Sequence, residues 1–184
     1  MLHKVQLGFL LFFTVWGLQA QNTNFKVGVY GGLPIGNSTP YYKYQFGIDG
    51  IYLTELSRSF HFGFATGLSY AVGDYFYKKY DDVVEEFQVA NFAFMPLAAS
   101  GRFILGNFFV GADVGYAVSI TGKKAFTPNG GFYFRPKIGY YFDVLGFYVS
   151  SSHVFAKRPN PTDYFNIQHG NGFNAINLGV EYHF

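Results

Sequence analysis

Apolar side chains return at every second position through most of this chain. The clearest run sets Phe60, Phe62, Phe64, Thr66, Leu68, Tyr70 and Val72 against His61, Gly63, Ala65, Gly67, Ser69, Ala71 and Gly73. A period of two marks a β-strand with one bulky apolar face and one small or polar face. Phe25, Val27 and Val29 alternate in the same way with Lys26, Gly28 and Tyr30, and Phe46, Ile48, Gly50 and Tyr52 with Gln45, Gly47, Asp49 and Ile51. Further along, Phe108, Val110, Ala112, Val114 and Tyr116 oppose Phe109, Gly111, Asp113, Gly115 and Ala117. Phe132, Phe134, Pro136, Ile138, Tyr140 and Phe142 oppose Tyr133, Arg135, Lys137, Gly139 and Tyr141. A run over 146–155 carries Ser150 and Ser152 on its inner face, and the last run places Ile176, Leu178, Val180, Tyr182 and Phe184 on one side. The segment 88–103 is ambiguous in facing, because Phe92 and Phe94 sit opposite Ala93 and Met95, and Pro96 within it predicts a bulge or bend. The total is about eight strands.

The connections alternate between short (56–59, 104–107, 143–145) and long (33–43, 74–87, 120–130, 156–172). The long ones are rich in Gly, Pro, Asn, Asp and Lys, as solvated loops are. Short turns at one end and long loops at the other suit an up-and-down barrel that crosses a membrane, and an even strand count puts both termini at the short-turn end.

Composition sharpens this picture. The chain has 24 Phe and 16 Tyr, an aromatic share of 22%, against only 13% charged residues. A soluble surface needs more charge, whereas a barrel wall in lipid needs an aromatic and aliphatic exterior with small residues packed inside. A soluble ligand-binding barrel would turn its apolar face inward; here the small residues form one face and the bulky ones the other. Cys is absent, so barrel closure rather than disulfides must hold the chain together. His3 and Lys4, the apolar run 7–15 and Leu18-Gln19-Ala20 predict a signal peptide over 1–20, too short to span a bilayer, with the barrel occupying 21–184. Loss of Lys4 with that leader takes the formal charge of +2 to about +1, too little to steer nucleic acid.

The terminal segment, with Val180, Tyr182 and Phe184 in alternation, resembles the C-terminal strand of Gram-negative outer-membrane barrels. There it is the signal read by the barrel-assembly machinery. Asn91-Phe92-Ala93-Phe94-Met95-Pro96-Leu97 followed by Phe108-Phe109-Val110-Gly111-Ala112-Asp113-Val114-Gly115-Tyr116 resembles the central hairpin of the PorT-like, porin-family outer-membrane β-barrel domain. The chain departs from that pattern at Phe94, where an inward acidic residue is common. The resemblance implies an all-β, eight-stranded antiparallel transmembrane barrel in the cell outer membrane. Its partners would be membrane lipid and lipopolysaccharide, the assembly machinery during insertion, and a membrane protein whose identity stays open. The expected state is a monomer.

A barrel of eight strands is only wide enough for its own side chains. The inward set is mostly Gly, Ala and Ser with Lys26, Asp49, Asp113, Arg135, Lys137 and Glu181, and buried charges must pair. Asp113 and Lys137 lie at similar heights on adjacent strands and are expected to pair; Lys26 and Glu181, near the seam, likewise. Such a network plugs the lumen, or, in the alternative, forms an ion-selecting constriction in a narrow passive channel.

The best enzymatic candidate is Ser150-Ser151-Ser152-His153 followed by Lys157-Arg158-Pro159-Asn160. It is similar to the lipid A deacylases, in which a Ser stands two residues after a His; here that position is Phe155. Adjacent strand residues diverge, so Ser152 and His153 are expected to point apart, and the expected protein is not an enzyme, with a deacylase-like hydrolase as the alternative. His61, His169 and His183 have no second ligand at metal spacing. Asp81, Asp82, Glu85 and Glu86 read as a solvated loop rather than a cation site, and Gly122-Lys123-Lys124 lacks the upstream glycine of a P-loop. No cofactor is implied. Lys123, Lys124, Lys157 and Arg158 suit loop solubility, or contact with lipopolysaccharide phosphates. Tyr41, Tyr42, Tyr44, Tyr75, Tyr77 and Tyr80 are expected to form an aromatic girdle at the outer strand ends.

Overall fold

The computed structural model describes residues 24–80, 83–121, 127–128, 130–155 and 172–184. The predicted leader, Asp81, Asp82, Lys123, Lys124, Lys157, Arg158 and His169 lie outside the described residues.

Ten strands follow in order: β1 (Phe25–Pro34), β2 (Tyr42–Ser57), β3 (Phe60–Gly73), β4 (Tyr75–Tyr80), β5 (Val83–Gln88), β6 (Phe92–Leu105), β7 (Phe108–Ser119), β8 (Gly130–Phe142), β9 (Leu145–Phe155) and β10 (Phe173–His183). Eight of them close an antiparallel barrel in the order β1-β10-β9-β8-β7-β6-β3-β2. The remaining two, β4 and β5, pair only with each other. This hairpin occupies the connection read from its sequence as a loop. There Tyr77 donates from its hydroxyl to Glu86 Oε1 (2.8 Å), a bond that holds the phenol pKa above its usual value.

The seam between β1 and β10 is continuous from Lys26↔His183 to Pro34↔Ala175, so every barrel strand has two neighbours. Three two-residue turns, at 58–59, 106–107 and 143–144, lie at one end. Two of them need positive φ, supplied by Gly106 (62°) and by Asp143 (53°). The strand ends from which the long connections leave lie at the other end.

β6 faces unambiguously: Phe92, Phe94, Pro96, Ala98, Ser100 and Arg102 are buried, and Leu97 and Phe103 are exposed. Of the bulge or bend expected at Pro96, the bulge is absent, while the ladder is weakened there as expected. Thr66↔Leu97 and Ser69↔Phe94 keep one register on the β3 side while the pairing between them lapses, and the β7 side pairs without interruption. A missing N–H removes a rung of the ladder without inserting a residue. Pro136 does the same between β8 and β9, where Phe134↔His153 and Lys137↔Ser150 share a register across a gap.

The outer wall carries the bulky apolar residues, including Phe64 (70% exposed), Leu178 (68%) and Ile138 (55%). The inner wall alternates large side chains with glycine. Register places Ser69, Gly47, Tyr30, Gly179, Tyr148, Gly139 and Phe109 in one row across seven strands. A Cβ on Gly179 would collide with the Tyr148 ring, on Gly47 with the Tyr30 hydroxyl, and on Gly139 with the Phe109 ring. The glycines are the space in which their neighbours' aromatic rings lie.

Candidate functional site: the lumen and the outer rim

Side chains from opposite walls meet inside the barrel at three levels. Nearest the short turns, Arg102 of β6 forms a bidentate pair with Glu181 of β10, Nη2 lying 2.9 Å from Oε2 and Nη1 bonding Oε1. These two strands are four apart in either direction around the barrel, so the pair spans its full width. Tyr141 completes the layer: its hydroxyl donates to Glu181 Oε1 (3.0 Å) and lies 2.6 Å from Arg102 Nη1. The Arg102 guanidinium also lies over the Phe109 ring, 4.6 Å from its centroid.

The second level is a four-charge cluster. Asp113 and Arg135 are direct cross-strand partners, joined from Nε (3.1 Å) and Nη2 (3.0 Å) to Oδ2. Arg135 Nη2 is also 2.9 Å from Asp49 Oδ1 on β2, again four strands away. Lys137 reaches diagonally to Asp113 Oδ2 (2.8 Å), as their heights in the sequence suggested, and lies 3.9 Å from Asp49 Oδ2. Ser100 donates to Asp113 Oδ1 (2.7 Å) and Tyr148 to Asp49 Oδ2 (3.1 Å). Two carboxylates thus face two cations with no net charge left over, the condition under which buried ions are tolerated. Tyr30 is hydrogen-bonded to Ser69 beside this cluster.

The third level, at the long-connection end, is aromatic. Tyr42, Phe92, Phe94, Tyr133 and Phe173 are buried together with Tyr41, Val89 and Val154. Phe92 and Phe94 stack at 5.0 Å, Tyr42 meets Phe173 edge-on at 5.2 Å, and Phe94 of β6 lies 6.1 Å from Phe173 of β10 on the opposite wall. Gln45, Gly32, Asn177, Ser150 and Lys137 form one row across β2, β1, β10, β9 and β8, which brings uncharged polar side chains into line with the charged cluster. Asn177 donates to Ser152 Oγ (2.9 Å). The Gln45 amide, the Ser150 hydroxyl and Asn177 Oδ1 have no protein partner among the described residues.

Three sequence expectations need correction. Lys26 and Glu181 do not pair: Arg102 takes the carboxylate in a fork that Lys26 cannot match, and Lys26 Nζ instead donates to the Tyr141 hydroxyl (2.9 Å) over that ring. Arg102 itself, a central member of the network, was absent from the expected set. Its signal was parity with Ser100 and Ala98, hidden because both faces of β6 mix large and small residues. Tyr41 and Tyr42 do not join a girdle; they fold inward as part of the plug, while Tyr44, Tyr75 and Tyr77 are exposed.

On β9, Ser150 and Ser152 are buried in the lumen and His153 points away from it. Ser152 and His153 therefore diverge. The same alternation puts Ser151 on the face of His153, and Ser151 Oγ lies 2.9 Å from His153 Nε2 while His153 Nδ1 lies 2.8 Å from Asn174 Oδ1. Asn174 is the cross-strand partner of His153 on β10.

No protein-family model matches this sequence, and no curated protein matches it. What the molecule defines on its own is a class: a closed, antiparallel, eight-stranded β-barrel with an apolar exterior and a filled, ion-paired interior.

Proposed function

We propose that this chain is a small outer-membrane barrel of the PorT-like, porin-family type, with a sealed lumen, working through its outer loops or through partners in the membrane rather than by conducting solutes. The observation that carries the sealed reading is the bridging of the lumen by side chains from opposite walls: Arg102 to Glu181, Arg135 to Asp49, and Phe94 against Phe173. A solute would have to break a buried ion pair at two levels and displace packed rings at a third, and severing one buried pair costs about 3–5 kcal/mol. The membrane reading is supported by the exposed apolar wall, which in water would be a large aggregation-prone surface. It is supported also by the separation of short turns and long connections to opposite ends. Lipid and lipopolysaccharide are the expected surroundings and the assembly machinery the expected partner on insertion, with Val180, Tyr182 and Phe184 as its signal.

Single-channel recording in planar bilayers tests this, after a heat-shift gel shows that the mature chain is folded. A silent bilayer is the expected result. Discrete openings that change with Lys137→Ala would replace the sealed scaffold with a narrow charged pore. Recovery of the chain in the periplasmic soluble fraction would remove the membrane reading altogether.

A further inference from the structure

A filled lumen leaves the outer wall as a working surface, and that wall carries a linked serine, histidine and asparagine. We propose that Ser151, His153 and Asn174 form a catalytic triad on the outside of the barrel that cleaves carboxylic esters of membrane lipids. Asn174 Oδ1 can only accept, so the bond at 2.8 Å requires the imidazole proton on Nδ1. That leaves Nε2 with its lone pair toward Ser151 Oγ at 2.9 Å, the tautomer in which the ring takes a proton from the serine. Nucleophile, base and orienting group are thus in hydrogen-bond reach on two adjacent strands, a rigid support. All three are partly exposed on the face away from the lumen. His153 is further held by ring contacts to Phe134 (6.2 Å) and Phe155 (6.0 Å).

A second feature specifies the substrate. Ser151 pairs with Ile176; the next outward pair along the same two strands, Val149 and Leu178, lines an apolar depression of about 680 Å³ with Ile138, Phe147, Val180 and Val29. Its size is that of a small-molecule site, and it begins one outward pair away from Ser151 and extends toward the short-turn end. The triad lies near the end of β9, where the long connection begins at residue 156. An acyl chain lying in the depression would bring its ester to Ser151 near the level of the loops. The lipid assignment rests on the reading of this wall as lipid-facing.

In the reaction, Ser151 Oγ bonds to the ester carbonyl carbon as its proton passes to His153 Nε2. The bond from that carbon to the alcohol oxygen then breaks, and the imidazolium returns the proton to that oxygen. Water, deprotonated by Nε2, attacks the acyl-serine carbonyl, releasing the fatty acid and restoring Ser151. No other reactant is needed.

The test uses the full mature chain. A fluorophosphonate probe in detergent reports the nucleophile by mass spectrometry, and fatty-acid release is followed from phosphatidylethanolamine vesicles and, separately, from lipopolysaccharide. The expected result is an adduct on Ser151 and release from one of the two lipids, which identifies the source of the ester. Ser151→Ala should abolish both, His153→Asn should slow release about 10²–10⁴-fold, and Ser150→Ala, in the lumen, should leave both unchanged. Flotation of the vesicles separates the two readings. Protein that floats, shows the heat shift and releases fatty acid from neither lipid overturns this proposal and leaves the membrane reading standing. Protein that does not float overturns the membrane reading and, with it, the lipid substrate.

Discussion

On β10, Ile176, Leu178 and Val180 point away from the barrel axis while Asn177, Gly179 and Glu181 point toward it, and the two sets answer to different constraints. The outward set must only be apolar; Leu178 and Ile176 are exposed and Val180 partly so, and their shapes are not matched to any neighbour across a core. The inward set is tied to particular partners. Glu181 fits because Arg102 stands on the opposite wall, and Gly179 because the Tyr148 ring fills the space above it. One face is specified by hydrophobicity, the other by position and chemistry, so substitutions one residue apart should have unlike consequences.

The largest inner-face effect is expected at Arg135, among the described residues the one cation joined to both Asp49 and Asp113 at hydrogen-bond distance. Arg135→Ala should lower stability by about 3–5 kcal/mol by leaving two buried carboxylates to Lys137 alone. The midpoint of urea unfolding in lipid vesicles, followed by the heat-shift gel, reads this; an unchanged midpoint would mean that the cluster is solvated. The aromatic level comes next: Phe94→Ala should cost about 3 kcal/mol through the cavity it opens against Phe92, Tyr133 and Phe173. Gly179→Ala should cost about 1–3 kcal/mol because the added methyl meets the Tyr148 ring. In contrast Leu178→Ile, one residue away on the outer face, should leave the same midpoint within about 0.5 kcal/mol. Equal losses at 178 and 179 would erase the distinction between the two walls. The smallest inner-face effect is expected at Lys26, which bonds a phenol rather than a carboxylate. Lys26→Met should cost about 1 kcal/mol, the worth of an ordinary hydrogen bond.

The same contrast explains which parts of the fold were legible in the sequence. Facing on β1, β2, β3, β7, β8 and β10 follows from alternation, because glycines, small residues and charges recur on one parity there, even though Tyr30, Ile51, Phe109 and Tyr133 share it. β6 resisted, since Phe92 and Phe94 are large yet inward and Ala93 and Ala99 small yet outward. Their inward direction answers a demand made by other strands, to close the long-connection end around Phe173 and Tyr133. Tyr41 and Tyr42 escaped for the same reason: a tyrosine beside a loop carries no mark that tells a girdle from a plug. At the outer rim, the rule that parted Ser152 from His153 also joined Ser151 to it, but Asn174 came within reach only through the β9–β10 register.

The alternation of apolar and small residues by itself determined an all-β chain of about eight strands, which charges face inward on the cleanly alternating strands, and that these charges must pair. That information is local, carried by the two-residue repeat of a single strand. The tertiary structure alone decided who pairs with whom: Arg102 rather than Lys26 for Glu181, Arg135 between two aspartates, Phe94 against Phe173. Contacts such as these join opposite walls, and so depend on the closure and relative stagger of all eight strands, a relation that no single strand encodes.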